Sequence, residues 1–215
     1  RIETVTRKGV DVVFAIDVSK SMLAEDITPS RILKAKQILS KAIDELVNDR
    51  IGIIVYAGKA YAQLPLTTDY TAAKMFLRTI NTDMVPTQGT DIGNAVEMAL
   101  SYFETGKEQN RVLFILSDGE SHEEGALEAS ELASENGILI HAIGLGTLDG
   151  GPIPIKRNGV IKGYKKDNED KVVVTKMDPA MLQQLALSTE GSFIDGMNTK
   201  ETIEFIKSSI LKMEQ

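Results

Sequence analysis

A strand pattern followed by a helix pattern, repeated along most of the chain, constrains the fold more than any other feature of this sequence. Residues 10–16 form an apolar run that reads as a fully buried strand. Residues 29–47 follow as a helix, with Ile32, Ala35, Leu39, Ala42 and Leu46 on one apolar stripe and Pro29 suited to its first turn. Residues 50–57 are strand-like, and 60–64 come so soon afterwards that an antiparallel edge partner is expected. A helix over 71–80 with Asp69 as its cap, a helix over 91–103, a strand over 111–116, a helix over 124–136 stopped by Gly137 and a strand over 138–144 complete the series. This alternation predicts an α/β fold with a mostly parallel sheet.

The rhythm breaks at residues 146–175. That stretch has no helical period, contains Gly150-Gly151-Pro152, offers a hairpin turn at Asn158-Gly159 and ends in the run Val172-Val173-Val174. It reads as a β-rich insertion within one domain over 1–215, because helix, strand and helix resume at 179–189, 192–194 and 199–213. Lys156, Arg157, Lys162, Lys165 and Lys166 make the insertion basic. They form either a solvated hairpin or a docking surface for an acidic partner.

Chemistry is concentrated where strands end. The run 10–16 leads into Asp17-Val18-Ser19-Lys20-Ser21. Extended backbone sends alternate side chains to one side, so Asp17, Ser19 and Ser21 can point together. Such residues are also common in turns and helix caps. Two more segments add weight: Gly89-Thr90-Asp91 before the helix at 91–103, and Ser117-Asp118-Gly119-Glu120 after the strand at 111–116. In open α/β sheets the working crevice lies beyond the carboxyl ends of the strands, and all three segments are expected there. Carboxylate and hydroxyl oxygens are hard ligands suited to Mg²⁺ or Mn²⁺.

D-x-S-x-S, G-T-D and S-D-G-E, in that order and over nearly the whole chain, resemble the von Willebrand factor type A family. The resemblance implies a central sheet of about six strands with helices on both faces and a metal-ion-dependent adhesion site (MIDAS). Its metal ligands would be Asp17, Ser19, Ser21, Thr90 and Asp118. Mg²⁺ is the implied ion, with Mn²⁺ or Ca²⁺ as substitutes, and the aspartate or glutamate of a partner protein would complete its coordination. Helix N-termini after Ser21 and Thr90 would add attraction. Asp91 either caps its helix or supports the serines from behind. Glu120, Glu123 and Glu124 read as solvated acids on the next helix, His122 as a rim residue and His141 as a hydrogen-bonded core histidine. Met22-Leu23-Ala24-Glu25-Asp26, Pro29-Ser30-Arg31, Pro152-Ile153-Pro154 and Gly163-Tyr164-Lys165-Lys166 are similar to bacterial aerotolerance (Bat) proteins. That implies a soluble, periplasm-facing domain of a protein anchored in the bacterial inner membrane.

Composition limits the alternatives. The absence of cysteine removes disulfides and thiolate metal sites, and two histidines do not make a typical structural zinc centre. The net charge of −7 argues against broad nucleic-acid binding. No apolar stretch reaches the roughly 18 residues of a membrane span. The start at Arg1 without methionine, with no signal peptide, reads as a fragment or a processed product. A metal-dependent binding module is the leading expectation, and it is non-enzymatic. A Mg²⁺-dependent phosphatase or hydrolase is the alternative, although the sequence has no Walker loop and no G-x-S-x-G elbow. A scaffold whose metal site is silent is the third.

Overall fold

The structure, a computed structural model, describes residues 9–103, 110–120 and 125–214. Strand β1, Asp11–Asp17, is buried at every position. Val12, Phe14 and Ile16 face one layer of helices, while Val13 and Ala15 face the other. A 3-10 turn, Lys20–Leu23, leads towards α1, Arg31–Asp44. Then come β2 (Arg50–Tyr56), β3 (Ala60–Thr67), α2 (Tyr70–Arg78), α3 (Ile92–Tyr102), β4 (Arg111–Ser117), α4 (Ala126–Glu135) and β5 (Ile138–Gly144). Four short strands follow: β6 (Gly151–Pro152), β7 (Pro154–Arg157), β8 (Val160–Tyr164) and β9 (Val174–Thr175). The described chain closes with α5 (Pro179–Leu187), β10 (Phe193–Asp195) and α6 (Thr199–Met213).

The expected α/β architecture is found. The six-stranded sheet has the order β10-β5-β4-β1-β2-β3, and every neighbouring pair is parallel except β2 with the edge strand β3. Residues from α1, α2 and α6 share a core with Val12, Phe14 and Ile16, and residues from α3 and α4 share one with Val13 and Ala15. Each large apolar side chain taken out of water contributes about 1.5–3 kcal/mol, so the sheet centre is the most strongly held part. The chain moves from β1 through β2 to β3 on one side and from β4 through β5 to β10 on the other. Strand order therefore reverses between β1 and β4, the place where open α/β sheets form their crevice.

Several boundaries differ from expectation for local reasons. Helix α1 starts at Arg31, not at 29: the Ser30 hydroxyl accepts the Leu33 amide at 3.2 Å as its cap, and Pro29 precedes the cap. Proline also disfavours helical backbone in the residue before it. A 3-10 turn after Ser19, not an α-helix after Ser21, follows the first motif. Strand β3 extends to Thr67 because the sheet edge tolerates Pro65, with register irregularities against β2. Asp69 caps α2 as expected, accepting the Ala72 amide at 3.0 Å. In the 146–175 segment, β7 and β8 form an antiparallel hairpin across Asn158 (φ 49°) and Gly159 (φ 77°). Two successive positive φ angles suit the twist of a two-residue hairpin turn.

Candidate metal centre

Asp17 ends β1 between Tyr56, its register partner on β2, and Ser117, which ends β4. Its carboxylate is fully buried. Oδ1 accepts the Ser19 amide at 2.9 Å and the Ser19 hydroxyl at 2.6 Å, and Oδ2 accepts the Ser117 hydroxyl at 2.8 Å. The Ser19 and Ser21 hydroxyls are 3.1 Å apart. Ser21 Oγ donates to Asp118 Oδ2 at 2.6 Å. Asp17, Ser19, Ser21 and Asp118 thus form one continuous string of oxygens across the strand-order reversal. Thr90 is buried and comes to the same edge, because the Asp91 amide donates to the Ala57 carbonyl just beyond β2 at 2.7 Å.

Asp91 acts as a helix cap: its Oδ1 accepts the Asn94 amide at 2.9 Å at the start of α3. Gly119 has φ 76°, and a Cβ there would stand 2.4 Å from the Asp178 carbonyl. A residue without a side chain lets the chain turn after Asp118 and lie against the start of α5, where the Asp178 amide donates to the Asp118 carbonyl at 2.8 Å.

Arg31 is the main component that sequence reasoning missed. Its guanidinium is fully buried, and Nη1 donates to Asp118 Oδ2 at 3.0 Å. Nε and Nη2 hold Asp26 in a two-point pair at 2.8 Å each. The same guanidinium donates to the Thr175 hydroxyl at 3.1 Å and the Thr175 carbonyl at 2.8 Å, which ties β9 to the site. Asp26 also accepts the Thr147 amide and hydroxyl. Thr175 in turn donates to Glu120 at 2.6 Å, so Glu120 belongs to this network and is not a solvated helix acid as expected. Asp118 and Thr175 lie 87 and 144 residues from Arg31, and only the folded chain joins them. His122, Glu123 and Glu124 lie outside the described residues.

The electrostatics leave this pocket short of positive charge. Among the described residues no lysine or arginine pairs with Asp17. Burial first, and the charge of Asp118 second, push its carboxyl up to about 7. Burial also raises Asp118, against the lowering effects of Ser21 and Arg31. Tyr56 is buried beside them next to the Ser117 hydroxyl, and burial drives its pKa up. Two buried carboxylates, two serine hydroxyls and a nearby threonine form a hard-oxygen donor set with excess negative charge, which fits a divalent cation. Among the described residues no three histidine, cysteine, aspartate or glutamate side chains form a separate metal cluster. His141 is a core histidine, as expected. Its Nδ1 accepts the Ser192 amide at 3.0 Å, its ring lies against Phe114 and Phe205, and burial pulls its pKa down to about 4.

Residues 12–120 match the family profile of the von Willebrand factor type A domain. BatB from Bacteroides thetaiotaomicron is 41% identical with a TM-score of 0.90, over 95% of this chain and 98% of that one. An aerotolerance-related membrane protein from Bacteroides fragilis is likewise 41% identical with a TM-score of 0.90, over 95% of this chain and 100% of that one. Proximal thread matrix protein 1 from the mussel byssus, in a form with a zinc-occupied MIDAS motif, shares the fold at 18% identity and a TM-score of 0.70, over 95% of this chain and 46% of that one. This chain spans between about 30% and 61% of the length of the curated relatives it matches. One of them, an uncharacterized protein of Borreliella burgdorferi, is 27% identical over 212 residues, covering 96% of this chain and 59% of that protein. Among the described residues no helix is long and apolar enough to cross a membrane.

Proposed function

The chain belongs to the von Willebrand factor type A family, and from that premise we propose that it is a metal-dependent protein-binding module of a Bat-type protein. The observation that carries this reading is the string Asp17–Ser19–Ser21–Asp118 at the strand-order reversal, with more buried negative charge than Arg31 offsets. Ser19 and Ser21 would hold the cation directly, and Asp17, Thr90 and Asp118 would complete its surroundings. Mg²⁺ is the proposed ion, with Mn²⁺ or Ca²⁺ as substitutes. Bound there, a divalent cation supplies net positive charge that attracts a carboxylate from a partner protein. The chain's own residues fix the donors. Ser117 and the Ser19 amide orient Asp17, and Arg31 orients Asp118.

The reading is non-enzymatic. His141, a general-base candidate by residue type, is packed against Phe114 and Phe205 with its Nδ1 engaged by the Ser192 amide. Residues 1–215 act as one domain with a β-rich insertion at 146–175, belonging to a parent protein anchored in the inner membrane with this part facing the periplasm.

Titration calorimetry of EDTA-stripped protein tests the reading, using Mg²⁺, Mn²⁺, Ca²⁺ and Zn²⁺ beside a Ser19→Ala/Ser21→Ala variant. One-to-one binding by the wild type and its loss in the variant is the expected result. Equal binding by both proteins places the ion elsewhere and defeats the assignment.

A further inference from the structure

A groove of about 750 Å³ is lined by neighbours of the candidate ligands and by residues of the 146–175 segment, while the ligands themselves lie outside its lining. Lys20, between Ser19 and Ser21, and Gln88, two residues before Thr90, share its lining with Pro154 and Ile155. Ile32, Ile80 and Ile153 line it as buried side chains, while Leu33 and Ile155 remain about half exposed at 45% and 52%. A protein of net charge −7 gathers Lys20, Lys36, Lys156 and Lys165 here against a single acid, Asp83. Lys20 pairs with Asp83, Lys156 pairs with Glu25, and Lys36 caps the carbonyls of Arg78 and Ile80. Lys165 has no ion pair among the described residues.

We infer that this groove receives an extended, acidic and apolar segment of the partner protein, continuous with the carboxylate proposed to reach the metal; the inference rests on the binding-module reading. The argument has three parts. A metal site takes one carboxylate, but a volume of this size lies within the roughly 300–1,000 Å³ of ligand pockets and holds several side chains more. Its floor offers apolar contact and its rim offers cations, so apolar residues with further Asp or Glu match it in both respects. The surface is also concave, with Ile32, Ile80 and Ile153 buried, and a flat bilayer cannot reach them. A partner chain can.

A random dodecapeptide phage library selected on the immobilised chain in Mg²⁺ tests the inference. Selected peptides are measured by fluorescence polarisation against wild type, the Ser19→Ala/Ser21→Ala variant and two groove variants, Lys156→Glu/Lys165→Glu and Ile155→Asp. These groove positions are exposed, and melting curves check that the variants fold. The expected peptides carry Asp or Glu beside apolar residues. They bind about tenfold more weakly to either groove variant, while both variants retain wild-type Mg²⁺ affinity. Peptides lost with EDTA but indifferent to the groove variants overturn the groove and spare the metal reading. Peptides lost in the groove variants but indifferent to EDTA keep the groove and sink the metal reading. Basic peptides, no enrichment, or phosphatidylserine vesicles retained by wild type and lost by Lys156→Glu/Lys165→Glu overturn the inference.

Discussion

Strand β1 begins and ends in an aspartate, and the two ends are built differently. At its start, Asp11 is bonded at both oxygens by Arg50 directly across on β2, at 2.8 and 2.6 Å. At its end, Asp17 lies six residues on, on the same side of the strand, and its carboxylate is met by two serine hydroxyls and an amide. Both acids are buried, and parity along the strand treats them alike. The first has its counter-ion and its role is complete within the fold. The second has hydrogen bonds without a counter-ion, an arrangement suited to an acid that waits for something to bind.

The largest test of this contrast removes the arginines. Arg31 is fully enclosed and serves Asp26 and Asp118 together, so Arg31→Met strands two buried carboxylates. Denaturant titration should give a loss of about 3–5 kcal/mol. Arg50 is partly exposed, and Arg50→Met should cost about 1 kcal/mol or less, shrinking in high salt. Similar losses for both variants would remove the distinction between a buried hub and a surface pair.

The next test acts on the acids themselves, in EDTA at pH 8. Asp17→Asn removes a charge that burial disfavours, and the protein should gain about 1–2 kcal/mol. Asp11→Asn loses a two-point pair and should cost about 1 kcal/mol. Saturating Mg²⁺ should then raise the melting temperature of the wild type and of Asp11→Asn, but not that of Asp17→Asn. A destabilised Asp17→Asn protein in EDTA would mean that Asp17 is as structural as Asp11.

The same contrast shows what the sequence could reveal. Buried strands were legible because apolar runs need cover on both faces, and the Asn158-Gly159 turn was legible because few residue pairs accept its backbone. Asp17, Ser19 and Ser21 stood out because a period of two brings their oxygens together. Arg31, Asp26, Thr175 and Glu120 were not legible as parts of the site. Their bonds cross 5 to 144 residues, and neither periodicity nor turn chemistry encodes such pairings. The start of α1 could have been found, since Ser30 directly before Arg31 is a good cap, although Pro29 fits a first helical position equally well. Tyr56 had no signal either. It reads as one more apolar residue of β2, and only its register opposite Asp17 brings its hydroxyl to the site.

The smallest effect separates the site acid from the core histidine by pH. His141 is held neutral, with its pKa pulled down by burial to about 4 from an ordinary 6.5. Between those values the unfolded chain binds more protons, so this group's contribution to stability falls as pH falls through that window. Asp17 runs the other way. Its folded pKa is raised, the folded state holds the extra proton, and its contribution is lost as pH rises towards 7. In metal-free wild type the two slopes oppose each other. In Asp17→Asn the Asp17 slope is gone, Asp118 keeps a smaller opposing one, and the histidine's own contribution should drop by about 0.8 kcal/mol between pH 8 and pH 6. His141→Gln, which keeps an acceptor for the Ser192 amide, should remove that contribution when added to Asp17→Asn, so the difference between the single and the double variant reads it. Denaturant titrations at the two pH values measure it. An unchanged slope in the double variant would mean that another group titrates there, and that the pH response says nothing about the two ends of β1.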